Sequence, residues 1–106
     1  MSDCLDLPER WRRPIEAMLA AHVPDAEVWA YGSRVTGTSH ETSDLDLVLR
    51  GPSLEPVPAS RLADLREALE ESNIPIFVDI HDWARMPERF KSSVENAFVI
   101  LSQGNS

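Results

Sequence analysis

Apolar residues that recur three or four positions apart predict three amphipathic helices along the chain. The first is expected over residues 8–22, the second over residues 60–72, and the third begins near Pro87. The apolar positions are Trp11, Ile15, Met18 and Leu19 in the first helix, Leu62, Leu65, Ala68 and Leu69 in the second, and Phe90, Val94, Ala97, Phe98 and Leu101 in the third. The pattern therefore carries the last helix as far as Leu101.

Shorter segments rich in β-favouring residues, or alternating between apolar and polar side chains, predict three strands. They lie at residues 27–31, 44–50 and 76–81, and a polar stretch rich in glycine, serine and threonine fills residues 32–43. The predicted order is helix, strand, strand, helix, strand, helix. This order is typical of an α/β fold, here a small sheet with helices packed against it, in a single domain over residues 1–106.

The charge of the chain argues against one broad class of function. Its 18 acidic residues against 10 lysines and arginines give a formal net charge of −8, whereas a non-specific nucleic-acid binder needs a basic surface. No apolar run approaches the roughly 20 residues of a membrane-spanning helix. The acidic N-terminus lacks a secretory pattern, and a single cysteine, Cys4, cannot form a disulfide within the chain. We therefore expect a cytoplasmic protein that binds neither nucleic acid directly nor a membrane.

Three aspartates fall on the polar faces of the second and third predicted strands. Alternate residues of a strand share a face, so Asp44 and Asp46 lie together, opposite Leu45 and Leu47. Asp79 lies on the polar face of the third strand in the same way. If the two strands are neighbours, the carboxylates form one cluster, and a cation such as Mg²⁺ would offset their repulsion. Three carboxylates can hold two Mg²⁺ ions, as in phosphoryl and nucleotidyl transfer.

The turn after the first strand adds a second feature to this cluster. Gly32 and Ser33 leave the strand at a glycine, which lets backbone N–H groups approach a phosphate. Taken alone, an Asp-x-Asp pair is more typical of a solvated strand face, and a glycine turn is a weak signal. His81 lies two residues after Asp79 on the same face. It either supports the cluster from outside or has a surface or packing role.

The spacing of the turn and the carboxylates resembles a known signature. Gly32-Ser33, ten further residues and then Asp44-Leu45-Asp46 match the pattern Gly-Ser-x₁₀-Asp-x-Asp of the DNA polymerase β-type nucleotidyltransferase superfamily. Residues 32–47, read as Gly-Ser-Arg-x-x-Gly-x₅-Ser-Asp-Leu-Asp-Leu, look like its minimal nucleotidyltransferase (MNT) branch. A third aspartate in a later strand, here Asp79, belongs to the same pattern. The resemblance implies a polymerase β-like fold, a small mixed sheet flanked by helices.

The same resemblance implies a role for each matching residue. Gly32 and Ser33 would contact the nucleotide phosphates. Asp44 and Asp46 would ligate both Mg²⁺ ions, and Asp79 would complete the catalytic metal site and help to deprotonate the attacking hydroxyl. Two roles stay open for the following residue, Arg34, which could also bind nucleotide. Its guanidinium could hold the leaving pyrophosphate, or it could pair with an acidic neighbour as part of the fold.

The resemblance also implies a partner and a biological role. Proteins of the MNT branch are typically encoded beside a HEPN-domain protein, a ribonuclease toxin. For this chain it implies the antitoxin of a type VII toxin–antitoxin system, which transfers AMP from ATP to a tyrosine hydroxyl of the HEPN toxin (AMPylation). Two alternatives stay open. One is an antitoxin that covers its toxin without catalysis, and the other is a nucleotidyltransferase for small molecules of the aminoglycoside type.

Overall fold

Helices and strands alternate through residues 5–40 and 42–104, which are the residues that the computed structural model describes; Cys4 lies outside them. The helices are α1 (Glu9–His22), α2 (Ser33–Thr36), α3 (Ala59–Glu71) and α4 (Glu88–Asn96). The strands are β1 (Glu27–Tyr31), β2 (Leu45–Arg50), β3 (Val78–Asp82) and β4 (Phe98–Ser102). Short 3₁₀ turns follow β2 at Pro52–Leu54 and β3 at Trp83–Arg85. None of the helices in these two ranges is long and apolar enough to cross a membrane.

The four strands form one mixed sheet in the order β3-β2-β1-β4. β1 runs antiparallel to both of its neighbours, β2 and β4, whereas β2 and β3 are parallel. α3 lies in the connection between the two parallel strands, which cannot be joined by a tight hairpin. The architecture confirms the α/β class that the sequence predicts, a small mixed sheet flanked by helices.

The main core lies on one face of the sheet, together with residues of α1 and α3. Alternate residues of β2, Leu45, Leu47 and Leu49, point into this core and have no exposed surface. Ile15 of α1 and Leu65 of α3 belong to the same apolar cluster and are equally buried. Because these residues occupy one side of β2, the residues between them are left for the opposite face.

That opposite face is covered only in part. Trp29, Val48, Trp83 and Val94 form a second, smaller cluster, to which α4 contributes Val94. Trp29 also stacks on Phe98 of β4, with ring centroids 3.8 Å apart. The other end of the same face carries the aspartates, which keep access to solvent.

The prediction of a long last helix is wrong. α4 ends at Asn96, and the segment Phe98–Ser102 forms β4, antiparallel to β1. The spacing of Phe98 and Leu101 also fits a helix, but the two residues between them are β-branched and favour a strand. Pairing with β1 supplies ladder hydrogen bonds that this edge of the sheet would otherwise lack. In the strand, Leu101 reaches the main core and Phe98 lies on the opposite face.

β1 has the predicted bounds, the other boundaries agree with the predicted ones within two residues, and one α-helix is additional. β2 begins at Leu45, so that Asp44 lies immediately before it, and α3 begins at Ala59. The additional element is α2, one turn of helix inside the polar stretch that was expected to be a turn. It ends at Gly37 in the left-handed conformation that commonly terminates helices.

Candidate functional site

The register of the sheet brings two of the predicted aspartates side by side. Asp46 of β2 is the direct neighbour of Asp79 in the parallel pair and of Tyr31 in the antiparallel pair. Phe98 of β4 continues this row beyond Tyr31. Asp44 lies two residues before Asp46 on the same side of the chain and is exposed. We call the row Phe98–Tyr31–Asp46–Asp79 the acidic row.

The electrostatics of the row centre on Asp46. Partial burial raises the pKa of its carboxyl group, and the neighbouring charges of Asp79 and then Asp44 raise this pKa further. His81 acts in the opposite direction but does not cancel the shift. The ionised form of Asp46 is therefore held in an unfavourable field, which a bound cation would relieve.

The donor chemistry suits Mg²⁺, since carboxylate oxygens are the ligands that this ion prefers. In residues 5–40 and 42–104, no three acidic, histidine or cysteine side chains are arranged so that they could hold a metal ion by themselves. Proteins usually bind Mg²⁺ through one or two carboxylates together with substrate phosphates and waters. A magnesium ion at this row would accordingly share its ligands with a bound nucleotide.

His81 contacts the row directly. Its Nε2 lies 2.9 Å from Oδ2 of Asp79, and 44% and 39% of the two side chains are exposed. The sequence left the role of His81 open between support of the cluster and a surface position. The structure shows a solvent-accessible histidine in hydrogen-bond contact with Asp79. The signal for this contact was the spacing of two residues along one strand face.

Gly32 occupies a position that only glycine fits. Its φ of +83° is a conformation that side chains rarely adopt, and a Cβ atom added there would lie 2.5 Å from Oδ2 of Asp46. The backbone of the turn and the carboxylate of Asp46 therefore touch, although 14 positions separate them in the sequence. Ser33 follows at the start of α2. The structure thus places the Gly32 turn against Asp46.

Arg34 points away from this site into the protein. Only 2% of the residue is exposed. Its Nη1 donates to the carbonyl oxygen of Asp6 at 2.8 Å, its Nε to that of Ser43 at 3.0 Å, and its Nη2 to that of His40 at 3.4 Å. These bonds tie the segment before α1 to the loop that leads into β2. They favour a role in the fold, and pyrophosphate binding by Arg34 stays a prediction.

Tyr31 is a site residue that the sequence did not single out. Burial, followed by the charges of Asp46 and Asp79, raises the pKa of its phenol to about 12. The hydroxyl group therefore stays protonated at neutral pH and can donate a hydrogen bond. Its position immediately before Gly32, on the same strand face as Trp29, was the only signal available.

Beside the acidic row lies a cleft of about 690 Å³. Tyr31, Gly32, Asp46 and His81 contribute to its lining from the sheet side, and residues of α4 contribute to it from the helix side. Ligand sites in proteins are commonly clefts of about 300–1,000 Å³ with a few polar groups among apolar ones. The cleft is thus large enough for a small ligand that also reaches the carboxylates.

Comparison with known proteins gives two matches at the level of sequence. The chain matches the family described as "Nucleotidyltransferase domain" over residues 13–101. It is 36% identical over 99 residues to a "Probable protein adenylyltransferase MntA" of Haemophilus influenzae. That alignment covers 93% of this chain and 85% of the relative.

Two solved structures resemble the fold. One is described as a toxin–antitoxin crystal structure with AMP-PNP, with a TM-score of 0.68 and 18% identity. The other is a mutant of the toxin–antitoxin MntA-HpeT, with a TM-score of 0.70 and 19% identity. Each likeness covers 90% of this chain and 74% of the other. At these identities the likeness shows a shared fold.

Proposed function

Because this chain belongs to the nucleotidyltransferase family and is a nucleotidyltransferase, we propose that it is an antitoxin that transfers AMP from ATP to a tyrosine hydroxyl of its toxin. The observation that supports this most is the contact between the Gly32 turn and Asp46, beside Asp79. A phosphate-binding turn and a pair of carboxylates at one point are what nucleotidyl transfer requires.

Within this proposal the aspartates hold two Mg²⁺ ions together with the triphosphate. Asp44 and Asp46 would ligate both ions, and Asp79 would complete the site of the catalytic ion. When bound, the ions neutralise charge on the phosphates and so favour attack at the α-phosphorus. The raised pKa of Asp46 supports the assignment, because the row carries a repulsion that a cation would remove.

Residues of the protein bind the phosphates and accept the proton. Gly32 and Ser33 hold the phosphates at the turn. The tyrosine oxygen of the acceptor forms a bond to the α-phosphorus while the bond to the β-phosphate bridging oxygen breaks, and pyrophosphate leaves. Oδ2 of Asp79 accepts the hydroxyl proton, and the contact with His81 Nε2 keeps this carboxylate oriented.

The partner is proposed from the names of the relatives and from charge. The 36% identical relative is named a probable protein adenylyltransferase, and both structural relatives are described as toxin–antitoxin structures. A formal net charge of −8 would favour association with a basic protein, such as a toxin that acts on RNA. We infer a HEPN ribonuclease as the toxin and the cytoplasm as the place of the reaction.

Intact-mass spectrometry of the toxin encoded beside this protein tests the proposal. After incubation with the protein, ATP and Mg²⁺, the toxin should gain about 329 Da for each AMP group transferred by the two-metal reaction. The double variant Asp44→Asn/Asp46→Asn should give no gain. Asp64→Asn is the matched control, because Asp64 is an exposed aspartate of α3 away from the site.

The other outcomes separate the alternatives. A toxin that binds tightly and is neutralised without any mass gain would show an antitoxin that works by covering its partner. Modification of an aminoglycoside in place of the toxin would show a small-molecule enzyme. Peptide mapping of the modified toxin decides whether the acceptor is a tyrosine.

A further inference from the structure

The cleft beside the acidic row extends beyond the residues to which the proposed reaction gives a role. Tyr31 and Gly32 are among its lining residues, as are Met86 and the α4 residues Phe90, Ser93 and Val94. Phe90 leaves 49% of its surface exposed. Val94, by contrast, is buried and anchors α4 on the second cluster. Val94 therefore fixes α4 beside the cleft, and the ring of Phe90 remains accessible.

Asp46 and Gly32 connect this cleft to the phosphate turn. Both line the cleft, and they are the two residues that touch each other in the site. A molecule whose phosphates lie on Gly32 thus has the cleft directly beside them.

We propose that this cleft holds the nucleoside of ATP, with the base against Phe90 and the ribose near Tyr31. The inference rests on the proposed function, since it needs a triphosphate at the Gly32 turn. A planar base suits an exposed aromatic ring, on which any base can stack. The hydroxyl groups of Ser93 and Tyr31 are available to its polar edges, and a protonated phenol can donate.

The position of Asp79 favours the nucleoside over the acceptor as occupant. Asp79, the residue that would deprotonate the acceptor, does not line this cleft but a second depression of about 340 Å³ along β3, which adjoins the cleft at Arg66. Phe77, an exposed neighbour, lines that depression too. In-line transfer keeps the acceptor and the leaving group on opposite sides of the phosphorus. The acceptor hydroxyl must also reach Asp79 to lose its proton, so within this proposal it approaches over the depression, and the cleft beside α4 is left for the nucleoside.

Calorimetry with two ligands, MgATP and magnesium tripolyphosphate, tests the inference. Tripolyphosphate has the phosphates of ATP but no nucleoside, so it reports on the turn alone. Phe90→Ala removes the stacking surface and Ser93→Phe fills the cleft. Both should weaken MgATP binding by about 10-fold or more, in line with the loss of one stacked base. Both should leave the Kd of tripolyphosphate within about twofold, because the turn is untouched.

Ser92→Phe is the matched control for Ser93→Phe. Ser92 is the preceding residue of α4, is equally exposed and does not line the cleft. It should leave both Kd values unchanged, and circular dichroism should show that all three variants are folded. If Ser92→Phe weakened MgATP as much as Ser93→Phe, the effect would belong to the helix as a whole and the inference would be wrong.

The remaining outcomes are distinct from failure of the proposed function. Equal loss of both ligands, or loss of neither, overturns the nucleoside assignment while phosphate binding at the turn stands. Unchanged MgATP binding with slower modification of the toxin would assign the cleft to the acceptor and likewise overturn the inference. A wild-type protein that binds neither ligand contradicts both proposals.

Discussion

The two faces of the sheet use the same strand for opposite purposes. Along β2, Leu45 and Leu47 lie in a closed apolar core, while Asp46 between them lies in an open, acidic row. The leucines of the closed face have no exposed surface, and the shape and volume of a side chain decide whether it fits there. The open face leaves carboxylates side by side, where they repel each other. A strand in such a position supplies stability through one set of residues and leaves Asp46, in the other set, accessible to solvent.

The stability of the protein should depend more strongly on side-chain volume at the closed face than at the open face. Leu47→Ala should lower the free energy of unfolding by about 2–5 kcal/mol, because it leaves a cavity at a fully buried position. Urea denaturation measures this loss. Leu54→Ala is the control, since 47% of Leu54 is exposed, and it should change the value by about 0.5 kcal/mol or less. A loss below about 1 kcal/mol for Leu47→Ala would mean that this core is loosely packed.

The activity of the open face should be sensitive to small displacements of its residues. Gly32→Ala places a methyl group against Oδ2 of Asp46 and should lower the rate of AMP transfer by about 100-fold, since small misplacements have such effects. Gly37→Ala is a close control. Its φ of +85° imposes a similar backbone strain, about 1–2 kcal/mol, but nothing lies within 4 Å of the new atom. The Gly37→Ala variant should therefore be less stable but should transfer AMP at the wild-type rate. Similar transfer rates for the two variants would contradict the importance of the contact between Gly32 and Asp46.

Arg34 belongs to the fold beneath the open face, and its loss should cost stability first. Arg34→Met removes a buried guanidinium that donates to the carbonyl groups of Asp6 and Ser43, and it should cost about 1–3 kcal/mol. Arg13→Met, in an exposed pair with Glu9, should cost about 0.5 kcal/mol or less. Urea denaturation and a transfer assay are both needed. Unchanged stability with lost transfer would instead support the pyrophosphate role.

The smallest expected effect is a gain in stability. Without metal and nucleotide, Asp46→Asn should stabilise the protein by about 0.5 kcal/mol at pH 7, as removal of functional strain commonly does. The folded-state pKa of Asp46 is raised, so its ionised form is disfavoured in the fold above the unfolded pKa. The gain should shrink as the pH falls through the raised folded-state pKa and should be lost below the unfolded value of about 4, where the carboxyl is protonated in both states. Thermal unfolding of both proteins across this pH range measures the gain in stability. A gain that grows towards low pH would contradict a raised pKa of Asp46.

Much of this comparison could be predicted from sequence because alternation along a strand determines which face each residue occupies. The faces of the aspartates and of the apolar positions of β2 follow from spacing alone, whereas the place of Gly32 in the site rested on the resemblance to the family signature. The contacts of Arg34 could not be predicted, since they depend on a loop of irregular conformation. β4 was missed because Phe98 and Leu101 satisfy helical spacing, and only long-range pairing with β1 decides between the two structures.

The short connection between α4 and β4 has a consequence for motion. Ala97 alone joins them, so the helix that walls the cleft cannot move far without disturbing the strand that pairs with β1. Val94 is the buried residue of α4, and β4 lies at the edge of the sheet. Segments with few buried contacts open locally more often than the core does. Amide hydrogen exchange should therefore show α4 and β4 opening as one cooperative unit, and a nucleotide bound beneath α4 should slow the exchange of both.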